Sequence, residues 1–143
     1  GYGIDIHPFE ENKEMFLCGV KIDESYGFKA HSDGDVAIHA LIDSILGAAG
    51  MGDIGERYPD TDITYAGADS KVLLQDTVKK IESFGYSIGN VDLTIMAEMP
   101  KVSPYKEAMR SMLSEILGIR KNLVNIKATK GELPSTLFAI ICS

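Results

Sequence analysis

The sequence predicts an α/β two-layer sandwich: a mixed four-stranded sheet with three helices packed on one face. Three observations carry that expectation. Residues 3–9 and 91–99 alternate apolar and polar side chains with the period of two that half-buried strands require. Residues 35–50, 69–85 and 104–118 switch to helical spacing, each bounded by a capping residue or proline and by glycine. Strands and helices also interleave along the chain, with no linker and no internal repeat, so its 143 residues make one domain.

The elements follow in order. Over residues 3–9, Ile4, Ile6 and Pro8 point one way and Asp5 and His7 the other. Residues 15–22 read as a short strand or hairpin arm, and 26–34 as loop. The first helix carries Val36, Ile38, Ala40, Leu41, Ile45 and Leu46, with Asp33 or Asp35 as its cap. Residues 51–68 are rich in Gly, Asp, Pro and Thr and read as a long functional loop or a mostly irregular crossover. Asp69 or Ser70 caps the second helix, which buries Val72, Leu73, Val78 and Ile81 and stops at Gly85. Pro100 ends the strand over 91–99. A third helix opens near Pro104 or Tyr105 and closes at Gly118. Residues 124–129 and 136–141 complete the strands. An apolar sheet face left without helices would call for neighbouring subunits.

Charge narrows the function. Fourteen basic against twenty-one acidic side chains give a net charge of -7, which disfavours a general nucleic-acid surface. A phosphorylated ligand would need local help from a metal ion, helix N-termini or a few lysines. Cys18 and Cys142 lie far apart and form no metal or redox motif. No apolar run approaches membrane-spanning length, and no signal peptide is visible.

The chemistry concentrates in Asp5-Ile6-His7 and in the run HSDGDVAIH over 31–39. On a strand Asp5 and His7 share a face; on a helix starting near Asp35, His39 shares a side with Asp35 and Asp43. Two imidazoles and a carboxylate suit a zinc-like transition metal and leave a coordination position open. Asp43 or Asp35 would then support a ring N–H from the second layer. D-x-H also arises by chance, and His39 could be an inward hydrogen-bonded histidine. Polar crowding favours the metal: all three histidines fall in the first 39 residues among several aspartates, costly in a core unless paired or metallated. His31 and Ser32 could hold a phosphate oxygen ahead of the helix. The aspartates of 52–62 read as turns first and as acceptors for substrate hydroxyls second.

Assembled, these motifs resemble the 2-C-methyl-D-erythritol 2,4-cyclodiphosphate synthase family of the non-mevalonate isoprenoid pathway. The strings are GxDxH at 3–7, HSDGDVxxHAxxDxxLGAA at 31–49, GDIGxxxPDTD at 52–62, GADS at 67–70, GNVDxTI at 89–95, PK at 100–101 and KAT at 127–129. The resemblance implies Asp5, His7 and His39 as ligands of Zn2+ or a similar ion, and Mg2+ or Mn2+ as a second ion bound with the substrate diphosphate. It implies catalytic roles for these three with His31 and Thr129. His31 and Ser32 would contact substrate phosphates, with the loop to Asp35, itself substrate-binding, folding over the substrate. Asp53 and Gly55 would hold the methylerythritol with Asp60 and Asp62 nearby. Ala97, Pro100, Lys101 and Val102 would receive the cytidine nucleotide, and Thr129 would lie at its phosphate and cytosine end. It further implies a homotrimer with active sites at subunit interfaces, a cytidine diphosphate-linked small-molecule substrate, no nucleic-acid or membrane partner, and a bacterial cytoplasm or a plastid or apicoplast. The fold expected is ferredoxin-like and trimer-forming. The chain departs from the family after Thr129, where Lys130-Gly131-Glu132-Leu133-Pro134 replaces further threonines, Glu-Lys, a glycine-rich loop and an arginine. Two readings follow: a family loop missing between 129 and 130, which is favoured, or a true deletion in an impaired variant. Glu132 is at best a stand-in for the carboxylate of the second ion.

Overall fold

The computed structural model describes residues 1–130 in full and the backbone of Thr136–Cys142. Residue Glu132 lies outside the described residues. The strands are β1 (Tyr2–Glu11), β2 (Met15–Leu17), β3 (Val20–Asp23), β4 (Tyr26–Phe28), β5 (Val91–Met96), β6 (Val124–Thr129) and β7 (Thr136–Cys142). The helices are α1 (Val36–Ala49), the single turn α2 (Ile54–Arg57), α3 (Ser70–Ser83) and α4 (Lys106–Leu117).

The α/β sandwich forms, with a larger sheet than expected. Five strands run in the order β4-β1-β7-β5-β6, and β2 and β3 make a separate hairpin. The fifth strand is β4, which pairs antiparallel with the far end of β1, Phe9 opposite Phe28 and Glu11 opposite Tyr26. Three residues with a central glycine carry too little alternation to read as a strand. The hairpin turns through Cys18 and Gly19, both at positive φ (52° and 76°), as a two-residue hairpin turn demands.

The topology is not ferredoxin-like. The main elements run strand, two long helices, strand, helix, strand, strand. Because α4 carries the chain back across the sheet, β5 and β6 are parallel neighbours, from Val91 opposite Val124 to Met96 opposite Thr129. β7 then inserts antiparallel between β1 and β5.

The core lies between sheet and helices. Val91, Leu93 and Ile95 of β5 and Val124 and Ile126 of β6 meet Met109, Leu113 and Leu117 of α4 and the buried residues of α1 and α3. Helix α1 is buried over most of its circumference because it lies against β1 and β7 on one side and α3 on the other. Its close approach to β1 depends on Gly3: a Cβ there would collide with the Ala40 carbonyl oxygen. Asp35 is the N-cap, accepting from the Ile38 N–H at 3.0 Å, and Gly50 ends the helix in the left-handed region. On the opposite sheet face, Tyr2, Ile4 and Ile6 are exposed (59%, 44% and 47%), an apolar strip without cover in the single chain. No helix among the described residues is long and apolar enough to cross a membrane.

Candidate metal centre

Strand alternation turns Asp5 and His7 toward the helices, and the fit of α1 over Gly3 lowers His39 onto them. Asp5 Oδ2 lies 2.9 Å from His7 Nε2 and 3.3 Å from His39 Nδ1. The two rings meet edge to face, 5.3 Å between centroids. One ligating atom from each of the three falls within 4.8 Å of the others. This convergence of two imidazoles and a carboxylate fits a divalent cation of the zinc type.

Electrostatics agree. Burial pulls the Asp5 carboxyl upward, but hydrogen bonds with His39 and His7 and their charge outweigh it and hold the group well below the usual carboxylate range. Burial opposes a charged His39, yet its bond to Asp5 and the nearby Asp5, Asp35 and Asp33 carboxylates raise it above an ordinary imidazole. The neighbourhood is one that stabilises positive charge.

The other ring nitrogen, His39 Nε2, lies 2.9 Å from Ser70 Oγ and 3.2 Å from Ser32 Oγ. The Ser70 hydroxyl donates in turn to Asp33 through a short hydrogen bond. Asp33 also accepts from the Ser70 N–H (2.9 Å) and the Asp35 N–H (3.1 Å). The turn over 31–35 is thereby joined to the start of α3, assisted by Gly67 N–H to His31 O (3.0 Å) and Asp33 N–H to Ala68 O (3.3 Å). Neither Asp35 nor Asp43 supports the ring N–H, contrary to the sequence expectation. Asp43 instead accepts from the Ile54 N–H at 2.7 Å and anchors α2.

The triad lines a cleft of about 400 Å³. Two segments of the chain line it with the triad: Lys29, Ala30, His31 and Ser32, and Ile54, Gly55, Tyr58 and Asp60. The Tyr58 hydroxyl braces that second segment against α3, 3.0 Å from Leu73 O, 2.6 Å from Asp76 Oδ2 and 2.9 Å from Thr77 Oγ1. Of the residues expected around this site, Asp5, His7, His31, Ser32, His39, Gly55 and Asp60 come together. Asp53 caps α2 by accepting from Glu56 N–H, and Asp62 caps the turn at Ile63–Tyr65 by accepting from Thr64 N–H; neither lines the cleft. Asp35 is fully buried, its carboxylate accepting from the N–H groups of Cys18 (3.0 Å), Gly19 (2.7 Å) and Ile38. It is a strut of the core, and burial of a carboxylate there pushes it up to about 7.

Ala97, Pro100, Lys101, Val102 and Thr129 gather elsewhere. They line a second cleft of about 360 Å³ that shares no residue with the first. Ile95, Ala97, Val102 and Ala128 give it an apolar floor, and Lys101, Ser103 and Thr129 a polar rim. Sequence reading missed Lys29, Tyr58 and the Ser70–Asp33 link. Ser70 and Thr77 left a usable signal, since they sit seven residues apart on the same buried stripe as Leu73 and Leu74.

Fold and site together define a small α/β domain whose candidate cation site, two histidines and a carboxylate, lies at the junction of sheet and helix. Residues 1–136 match the YgbB family, and the chain belongs to that family. It is 68% identical over 132 residues to the bifunctional enzyme IspD/IspF of Sulfurovum sp. (strain NBC37-1), covering 92% of this chain and 35% of the relative. It is 52% identical over 132 residues to the 2-C-methyl-D-erythritol 2,4-cyclodiphosphate synthase of Methylococcus capsulatus (strain Bath), covering 92% and 84%. A solved 2C-methyl-D-erythritol-2,4-cyclodiphosphate synthase in its CDP-bound form superposes with a TM-score of 0.93 at 36% identity, covering 99% of this chain and 95% of that one. The chain spans about a third of the length of the bifunctional relatives it matches.

Proposed function

We propose that this chain cyclises 4-diphosphocytidyl-2-C-methyl-D-erythritol 2-phosphate to 2-C-methyl-D-erythritol 2,4-cyclodiphosphate and releases CMP. The observation that carries the reading is the convergence of Asp5, His7 and His39 in a cleft also lined by His31, Ser32, Gly55 and Asp60. In the reaction an oxygen of the 2-phosphate forms a bond to the β-phosphorus. The bond from that phosphorus to the bridging oxygen breaks, and CMP leaves with the electron pair.

The chemistry demands alignment of two phosphates that repel each other, with no covalent enzyme intermediate. Asp5, His7 and His39 would hold a zinc-like ion, and that ion together with a Mg2+- or Mn2+-like ion on the diphosphate would neutralise and polarise phosphate oxygens. Lys29, His31 and Ser32 offer donors to the phosphates from one lining segment. Asp60 and the backbone at Gly55 face the polyol from the other, carboxylates accepting from hydroxyls. Asp53, Asp62 and the buried Asp35 would shape these segments through the caps they make.

The nucleotide end, Ala97, Pro100, Lys101, Val102 and Thr129, would come from a neighbouring subunit. Two features support a homotrimer with shared sites. The two clefts are separate within one chain, and Tyr2, Ile4 and Ile6 expose an apolar strip on the sheet. The jump after Thr129 is read as the position of a family loop between 129 and 130.

The test is a zinc- and magnesium-supplemented assay of CMP release, with products read by phosphorus NMR and the protein by intact mass and light scattering. Release of CMP with a cyclic diphosphate and a trimer mass is expected. A linear phosphorylated product would assign a phosphohydrolase, and nucleotide binding without turnover a binding protein. A mass equal to that of the 143 residues would remove the loop reading.

A further inference from the structure

The metal ligand His39 has two ring nitrogens with different neighbours, and hydrogen-bond bookkeeping decides which carries the proton. Asp33, as a carboxylate, only accepts. It accepts from Ser70 twice, through the hydroxyl and the N–H, and once from the Asp35 N–H. The single proton of the Ser70 hydroxyl is therefore committed to Asp33. What remains on Ser70 Oγ toward His39 Nε2, 2.9 Å away, is a lone pair. Nε2 carries a proton and donates it to Ser70, with Ser32 Oγ as a longer second acceptor at 3.2 Å, so Nδ1, which faces Asp5 Oδ2, is the nitrogen left to exchange its proton for an ion there. Ser70 is fully buried, so water does not take its place. Among the described residues His7 Nδ1 has no comparable partner, so His39 is the ring fixed in this way.

We propose that Ser70, oriented by Asp33, is a positioning residue: it locks His39 in the Nε2–H tautomer and so presents Nδ1 to the metal. This rests on the metal reading of Asp5, His7 and His39. It also joins two parts of the cleft. Asp33 belongs to the turn bearing His31 and Ser32, and Ser70 opens α3, so seating that turn and presenting the ligand are one hydrogen-bonded event.

The test uses the full chain and two readouts that do not depend on turnover. The first is zinc affinity by competition with a chromophoric chelator, for wild type, Ser70→Ala and Asp69→Ala. Asp69 caps α3 through the Lys71 N–H without touching His39, so it reports weakening of the helix start alone. Ser70→Ala is expected to lower zinc affinity by about ten-fold or more, in the range of lost outer partners of metal-bound histidines, and Asp69→Ala to leave it unchanged. The second is the nitrogen chemical shifts of the His39 ring in zinc-loaded wild type, expected to show protonated Nε2 and metal-bound Nδ1. Wild-type affinity in Ser70→Ala, an equal loss in Asp69→Ala, or metal on Nε2 would each overturn the proposal. Wild type that binds no zinc would instead remove the metal reading itself.

Discussion

The two clefts of this chain are built on opposite plans. Around the Asp5–His7–His39 cleft the structure invests buried polar groups: Asp35, Ser70 and Thr77, all fully buried, hold the turn, the helix start and the Tyr58 segment. The cleft of Ala97, Pro100, Lys101, Val102 and Thr129 has an apolar floor and polar groups only at its exposed rim. The first is preorganised for a point charge, since the Ser70–Asp33 link to His39 and the bonds of Asp35 and Tyr58 are made before a ligand arrives. The second offers a surface and a few adaptable contacts, suited to a flat ring and a phosphate whose remaining contacts come from elsewhere.

The largest expected effect breaks the first plan at its centre. His39→Ala removes one of the three candidate ligands, and even the outer partners of metal-bound histidines are generally worth about 10- to 100-fold. Zinc affinity should fall beyond that range and CMP release should vanish. Chelator competition and the turnover assay check this together, and wild-type values in both would sink the ligand assignment. Because the second cleft shares no residue with the first, CDP affinity measured without zinc should stay as in wild type.

Lys101→Ala makes the reciprocal cut. Lys101 is exposed on the rim of the second cleft and away from the triad. Losing one charge-assisted contact to a phosphate costs about 1.5–3 kcal/mol, roughly ten- to a hundred-fold in CDP affinity. Calorimetric titration with CDP should show that loss, with zinc affinity unchanged. Unaltered CDP binding would detach Lys101 from the nucleotide; altered zinc binding would show the clefts to be coupled.

The contrast also explains what was legible in the sequence. Asp5, His7 and His39 were readable because strand and helix periods are local rules, and both operate within a few residues of the ligands. The sandwich, α1, α3 and α4 were readable for the same reason. The sheet order was not: the place of β7 between β1 and β5 is a long-range pairing that no local pattern encodes. The residues alone offer Asp35 as a cap of α1, which it is, while its place at the substrate comes from the family resemblance and not from any local pattern. Its partners, the N–H groups of Cys18 and Gly19, arrive from a hairpin whose position only the fold determines. Asp53 and Asp62 sit in the expected loop, but local capping bonds occupy their carboxylates.

Asp35 supplies the smallest and most diagnostic effect, because the first cleft rests on it and the second has no counterpart among the described buried residues. Burial raises its carboxyl from 3.8 to about 7, against the opposing N–H of Gly19. An acid raised on folding leaves the folded state holding more protons than the unfolded state between the two values. Stability must then fall as pH rises through that window. Its contribution is complete below about pH 4 and is lost as pH passes about 7. Asp5 works in the opposite direction, its depressed carboxyl losing stability only in stronger acid, outside this window. His39, raised on folding, declines in the same direction as Asp35, so wild type alone cannot apportion the slope. Asp35→Asn can. Its amide keeps the neutral shape but sets an NH2 against a backbone N–H, costing about 1–3 kcal/mol at about pH 5. Urea midpoints of the zinc-free proteins should show wild type losing stability from about pH 5 to about pH 8 and Asp35→Asn losing less, the two curves converging toward the upper end. Parallel curves would mean that the carboxylate stays charged beneath the cleft, held by its three N–H donors rather than neutralised by burial.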